Sequence, residues 1–377
     1  MNAWPASAWR SRLLAAAAVA VALLMLSSIH PGRTALARSS QSKSPQSSST
    51  NTAPSSRGCA QCHVGVVASY AHAGMQHAIE PAGADPVLQA HTSLHAKVGQ
   101  YSYAIETKGA ESTYTVSDGQ GSMTLPIRWI FGQHSQTWVL EKDGDFYESA
   151  VSYFHLEQAL ASTPGDENLS PHNITEAIGR KVSTWELLQC FDCHGTNATQ
   201  GEKLTLDRLR PGLSCERCHD GADQHMSDAL RGNFRSTPKS LKTMNADDTS
   251  QFCGQCHRTW DAAVRNHWHG PSDVRFQPYR LANSRCFLGT DRRIGCLACH
   301  DPHQPVNTHV EFYDAKCLAC HAAGKAKETP PAVAKACPVS AAKCTSCHMP
   351  RVALPGGHGV FTDHQIRIVH AGDPYPD

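Results

Sequence analysis

Residues 295–303 read GCLACHDPH: two cysteines separated by two residues, a histidine directly after them, and a second histidine three positions on. The pattern inside it, C-x-x-C-H, occurs seven times, at 59–63, 190–194, 215–219, 253–257, 296–300, 317–321 and 344–348. It is the attachment pattern of c-type haem. The two-residue gap lets both thiols reach the vinyl groups along one porphyrin edge, and the adjacent histidine then lies under the iron as an axial ligand. Paired C-x-x-C also binds zinc or performs disulfide exchange, but neither chemistry needs a histidine after every pair. The sequence therefore predicts seven covalently bound haem c groups. Their thioether sulfurs are Cys59 and Cys62, Cys190 and Cys193, Cys215 and Cys218, Cys253 and Cys256, Cys296 and Cys299, Cys317 and Cys320, and Cys344 and Cys347. Their proximal ligands are His63, His194, His219, His257, His300, His321 and His348.

The 377 residues include 16 Cys and 23 His. The motifs leave Cys286 and Cys337 over. In an oxidising compartment these two are expected to pair as a disulfide, with a thiolate haem ligand as the alternative. Residues 1–37 have the layout of a secretory signal: Arg10 and Arg12, the apolar run LLAAAAVAVALLML at 13–26, and an A-L-A site ending at Ala37. The apolar run is shorter than the roughly 20 residues a spanning helix needs, which favours cleavage over an uncleaved anchor. Export, to the periplasm or the extracellular side, suits a haem attached outside the cytoplasm by the cytochrome c maturation machinery. The Ser-rich stretch 38–57 buries too little apolar surface to fold and reads as a disordered linker.

The formal charge of +1 is deceptive, because loss of residues 1–37 removes three arginines and no acids and leaves −2. Haem propionates would carry the holoprotein to about −9 oxidised and about −16 reduced. Such a charge excludes nucleic acid as a partner and favours redox proteins with a basic docking face, such as other cytochromes or membrane quinol-linked complexes.

One motif stands at 59–63 and six crowd between 190 and 348. The interval between them has another texture. QYSYAIETK, ESTYTVS, QTWVLEK and FYESAVSYF are rich in aromatic and β-branched residues and are separated by turn signals at 108–110, 117–121 and 142–145. They predict a small antiparallel β insertion over about 97–155. The run ITEAIGRKVSTWELLQ at 174–189 predicts a helix leading into Cys190. The expected fold is mainly α and irregular, built around stacked haems that serve as the core. Its segments are a first haem segment at 58–96, the β-rich insertion at 97–160, and a six-haem domain with a C-terminal tail at 161–377.

The group on the second face of each iron decides function. A second histidine gives a low-potential electron carrier, and an open face binds substrate. Sixteen histidines lie outside the motifs, and His30 leaves with the signal. His303 follows its own motif too tightly, through Pro302, to reach back to the same iron, so a neighbouring haem is its expected target. His225 has a similar offset. His358 and His364 frame the C-terminal tail, and His267 and His269 flank Trp268. His95 precedes the β insertion, and His72 and His77 follow the first motif together with Met75. His134 lies beside Gly132 within the β segment. The plainer expectation for His91, His134, His155, His172, His309 and His370 is a surface or supporting role.

C-A-Q-C-H followed by S-Y, G-L-S-C-E-R-C-H, V-R-F-Q-P-Y-R-L-A-N-S-R-C-F, G-C-L-A-C-H-D-P-H, and C-T-S-C-H-M-P with F-T-D-H-Q-I-R-I together resemble exported bacterial multihaem cytochromes c of the doubled C-x-x-C-H type. That family is related to the superfamily of pentahaem nitrite reductase and hydroxylamine oxidoreductase. The resemblance covers most of residues 58–377. It implies haems in stacked and perpendicular pairs, and it adds weight to His95, His225, His303, His358 and His364 as distal ligands. All seven motifs end in His, so the C-x-x-C-K active site of the nitrite reductases is not supported. Tyr70, Tyr279 and Tyr313 are the tyrosines to weigh for a hydroxylamine-oxidoreductase cross-link. The expected function is a heptahaem electron relay with mostly bis-His haems. The rival is an oxidoreductase whose first haem is open to a small nitrogen or sulfur compound.

Overall fold

The computed structural model describes residues 58–287, 289–290, 293–322 and 336–376. The expected signal at 1–37 and linker at 38–57 lie outside the described residues. Among the described residues no helix is long and apolar enough to cross a membrane.

A ten-stranded antiparallel sheet dominates the first half. Its strands are β1 (Ile79–Pro81), β2 (Ser93–Val98), β3 (Tyr101–Lys108), β4 (Glu111–Ser117), β5 (Ser122–Phe131), β6 (Ser135–Lys142), β7 (Asp145–Ser149), β8 (Val151–Phe154), β9 (Ala159–Ser162) and β10 (Gly179–Lys181). The order is β10-β7-β6-β5-β4-β3-β2, with β1 on the far half of β5 and β8 joining β6 to β9. A register shift between Ile127 and Trp129 bends β5, so that its first half pairs with β4 and its second with β1. Bulges of this kind sharpen twist and curl a sheet.

This sheet overturns the expectation of a mainly α fold with a small β insertion. The strands run from Ile79 to Lys181, past both ends of the expected 97–155. The overlooked strands, such as IEP, ALAS and GRK, have little β preference of their own. Neighbouring strands recruit them, because strand preference reflects packing and pairing more than the residue itself. The expected helix at 174–189 is divided for the same reason. Ile174–Ala177 forms one turn, Gly179–Lys181 pairs with β7, and the helix Thr184–His194 starts afresh. Gly179 makes the break possible: its φ is +141°, and a Cβ there would lie 1.9 Å from the Glu148 carbonyl oxygen.

Period-two alternation builds the core. Tyr101, Tyr103, Ile105 and Thr107 of β3 point inward, with Ser112, Tyr114 and Val116 of β4 opposite. Trp138 and Leu140 of β6 complete this cluster. A second cluster joins Ile79, Val182, Leu187, Phe191 and Ala198, with Trp129, Phe131 and Phe146 packed against it. Phe191 packs edge-on to Trp129 and Phe131, with ring centroids 5.9 and 5.3 Å away. The sheet thus seats the helix that ends in the second motif. That helix begins in a capping box, in which Ser183 and Glu186 satisfy each other's backbone N–H groups.

Beyond the sheet the chain is short helices and coil. Ala246–His257 and Val310–His321 each end in a motif, and a hairpin of Arg351–Leu354 and Gly359–Thr362 precedes the tail.

Candidate haem-binding array

Each motif is one tight turn. The His63 N–H donates to the Cys59 carbonyl at 2.8 Å, His219 to Cys215 at 2.8 Å, and His300 to Cys296 at 2.9 Å. This turn sets two thiols and an imidazole on one side of the backbone. Motifs distant in sequence are neighbours in space. The Cys59 thiol is hydrogen-bonded to Cys215, Cys193 to Cys256, Cys253 to Cys296, and Cys317 to Cys344. Cys218 lies near enough to Cys253, and Cys299 to Cys317, to influence their ionisation. The first, third, fourth, fifth, sixth and seventh motifs therefore follow one another as a chain, and the second joins at the fourth. The Cys193 thiol is pushed up by its hydrogen bond to Cys256 and then by burial, and burial raises Cys59 to about 11.

Proximal histidines His63, His219 and His300 each face a second imidazole. His63 faces His225 with ring centroids 6.3 Å apart, His219 faces His303 at 5.9 Å, and His300 faces His364 at 6.2 Å. Two imidazoles held by one metal through bonds of about 2 Å on opposite sides have centroids roughly 6 Å apart. His303 thus faces the third motif rather than its own, as its tight turn requires.

The ring nitrogens support the same assignment. Nδ1 of His225 is 2.7 Å from the Ser236 carbonyl, Nδ1 of His364 is 3.0 Å from that of Thr362, and Nδ1 of His303 is 3.0 Å from Asp301 Oδ1. Among the proximal residues, Nδ1 of His194 meets the Ala78 carbonyl at 2.8 Å, that of His219 meets Lys239 at 3.2 Å, and that of His348 meets Arg367 at 2.9 Å. A proton held on Nδ1 leaves the Nε2 lone pair for iron and fixes the plane of the ring. Burial lowers His194 and His257, lowers His300, and takes His364 to about 4. All four are therefore neutral imidazoles at ordinary pH, the form a metal binds.

The other candidates are placed differently. His77 spends both nitrogens, one on Glu80 and the other on the Ala71 carbonyl at 2.8 Å. His95 is exposed on β2, with Nε2 2.8 Å from Ser93 Oγ. His72, His267 and His269 are exposed, and His267 has a left-handed φ of 53°. His134 lies edge-on to Phe361 at 6.2 Å, and His358 packs on Phe154 at 4.4 Å beside Glu157. These two sit where the C-terminal hairpin meets the sheet. Cys286 and Cys337, the expected disulfide pair, are free thiols, as are the fourteen cysteines of the motifs. Cys286 is partly buried near Cys317 and Cys320, whereas Cys337 is exposed. Tyr70 and Tyr313 donate their hydroxyls to the Leu213 and Asn307 carbonyls at 2.6 and 2.8 Å.

Sequence reasoning gave no sign of the supporting carbonyls, which depend on how the chain is folded. Arg280 is 1% exposed and chelates Asp363, with Nε–Oδ1 at 2.9 Å and Nη2–Oδ2 at 3.0 Å. The position of Asp363, next to His364, was the one available clue.

These residues fit haem better than a bare metal. A protein-only zinc or iron site gathers three or four side-chain ligands. Among the described residues no group of three or more His, Cys, Asp or Glu is placed to hold an ion. Haem supplies four ligands itself and asks the chain for two imidazoles and two thiols.

Repeated attachment turns with paired imidazoles are the arrangement that c-type haem attachment requires. The family described as cytochrome c554 and c-prime matches residues 153–220, from β8 through the second and third motifs. The match supports a haem-containing electron-transfer protein of the cytochrome c family, with covalently bound haem c. Comparison with curated proteins and with solved structures finds no match.

Proposed function

We propose that the chain is an exported heptahaem cytochrome c that relays electrons between redox partners through mostly bis-His haems. The observation that carries this reading is the chain of attachment thiols. A thioether sulfur marks the vinyl edge of its porphyrin, so adjoining thiols in successive motifs bring haem edges together. Haem held there would supply the one-electron chemistry. The polypeptide holds the imidazoles, keeps their protons on Nδ1 and excludes water from the buried rings. His225, His303 and His364 would hold haem together with His63, His219 and His300 respectively. The kinship with the pentahaem nitrite reductase and hydroxylamine oxidoreductase superfamily belongs to this reading, as do an acidic surface docking basic partners and maturation outside the cytoplasm.

The rival enzyme reading placed an open haem at the first motif. His225 opposite His63 counts against that position. Electron paramagnetic resonance of the oxidised protein tests the relay. The expected spectrum is low-spin for the irons of the first, third and fifth motifs, and His225→Ala or His303→Ala each converts one iron to high spin. A wild-type spectrum with those irons high-spin and responsive to nitrite, hydroxylamine or cyanide would refute it. So would a mature protein whose mass carries fewer than seven haems.

A further inference from the structure

The tail after the hairpin does more than carry His364. The Ile366 N–H donates to Ser284 Oγ at 2.7 Å, and the Arg367 N–H to the His348 carbonyl at 3.1 Å. The Arg367 carbonyl in turn lies 2.9 Å from His348 Nδ1. One extended strap therefore presents an imidazole to the fifth motif and a proton acceptor to the seventh. Arg280 anchors it from the helix Gln277–Ala282. Its guanidinium chelates Asp363, donates to Gln365 Oε1 at 2.7 Å and to the Pro376 carbonyl at 2.9 Å, and stacks over the Tyr375 ring at 4.5 Å. Arg367 adds a second cation to Asp363 at 2.5 Å, and Asp273 lies 3.6 Å from Arg280. Two cations and two carboxylates close a compensated buried set, with Asp363 0% and Asp273 1% exposed.

We propose that Arg280 is a positioning residue for two haems at once. By clamping Asp363 it holds His364 over the iron of His300 and the Arg367 carbonyl on Nδ1 of His348. This rests on the reading of His364 as a distal ligand. A chelating ion pair suits the task, because a planar guanidinium fixes both direction and distance of a carboxylate, whereas a lysine fixes distance alone. Groups that orient a ligand in this way typically change metal affinity by about 10–100-fold when lost.

The test compares Arg280→Lys and Asp363→Asn with His364→Ala, all as haem-loaded protein. Paramagnetic resonance, carbon monoxide binding to the reduced protein and a potentiometric titration are read on each. His364→Ala should convert one of the seven irons to a high-spin, carbon monoxide-binding form and shift one midpoint. Arg280→Lys and Asp363→Asn should give the same high-spin signature at partial intensity and shift two midpoints, because His348 also loses its acceptor. If either substitution prevents accumulation of holoprotein, Gln365→Ala, which removes one Arg280 bond and no charge, carries the test with the same two-midpoint signature. Clamp variants that lose stability yet stay wholly low-spin, with wild-type midpoints, overturn the proposal while leaving the ligand assignment intact. A His364→Ala protein without any high-spin iron overturns the ligand assignment and the clamp together.

Discussion

Replacing Phe191 by alanine tests whether the β-sheet seats the second haem motif or merely lies beside it. Phe191 is 0% exposed and stands three residues before His194 on the same helix. Its ring meets Trp129 and Phe131 at interplanar angles of 90° and 89°, and Phe131 is also 5.1 Å from the His194 ring. A Phe→Ala change in a core costs about 3–5 kcal/mol, through lost transfer free energy and the cavity left behind. Each edge-on pair accounts for about 0.5–1.5 kcal/mol of that. Trp185 on the same helix is 68% exposed, and its removal should cost less than about 0.5 kcal/mol. Urea unfolding of the two holoproteins, followed by circular dichroism, gives the comparison. The His194 iron should also show an altered paramagnetic signal in Phe191→Ala alone, because the ring and the Nδ1 contact to the Ala78 carbonyl shift together. A loss below about 1 kcal/mol for Phe191→Ala, or equal losses for both variants, would refute the seating argument.

Three further outcomes follow from the same structure. Glu186 in the capping box is lowered to about 2, first by the hydrogen bonds from Ser183 and then by Arg180. Its folded value lies below the unfolded one, so its stabilisation is present above about pH 4.5 and is lost as pH falls toward 2. Melting temperatures of Glu186→Gln should therefore fall less steeply than wild type between about pH 5 and 2. Asp314 accepts the Lys343 and Cys344 N–H groups at 2.7 Å each, with Lys343 in the left-handed region at a φ of 56°. Asp314→Ala should destabilise by about 2–3 kcal/mol in a denaturant titration and lower haem loading at the seventh motif, seen by peptide mass mapping. Association with a basic redox partner should weaken as salt rises, and a salt-independent association rate would argue against the acidic docking surface.

The attachment pattern was legible in the chain because it is local. Its two thiols and its imidazole lie within five residues, and one turn of backbone brings them together whatever surrounds it. The strands β3 and β4 were legible for a related reason, since they are rich in aromatic and β-branched residues and bounded by turn signals. The strands β1, β9 and β10 were not, because IEP, ALAS and GRK pair through backbone groups that carry no residue signature. Gly179, which breaks the expected helix, reads as an ordinary glycine until the Glu148 carbonyl is seen against it.

The sequence by itself determined where the attachment pattern stands, since C-x-x-C-H is complete in itself. The tertiary structure alone decided how those sites are joined. His225 crosses to the first motif, His303 to the third and His364 to the fifth, spanning 162, 84 and 64 positions of chain respectively. The choice among candidate histidines depends on which ring has Nδ1 held by an oxygen and stands opposite a motif imidazole. The second condition comes from the course of distant backbone, which no local spacing encodes.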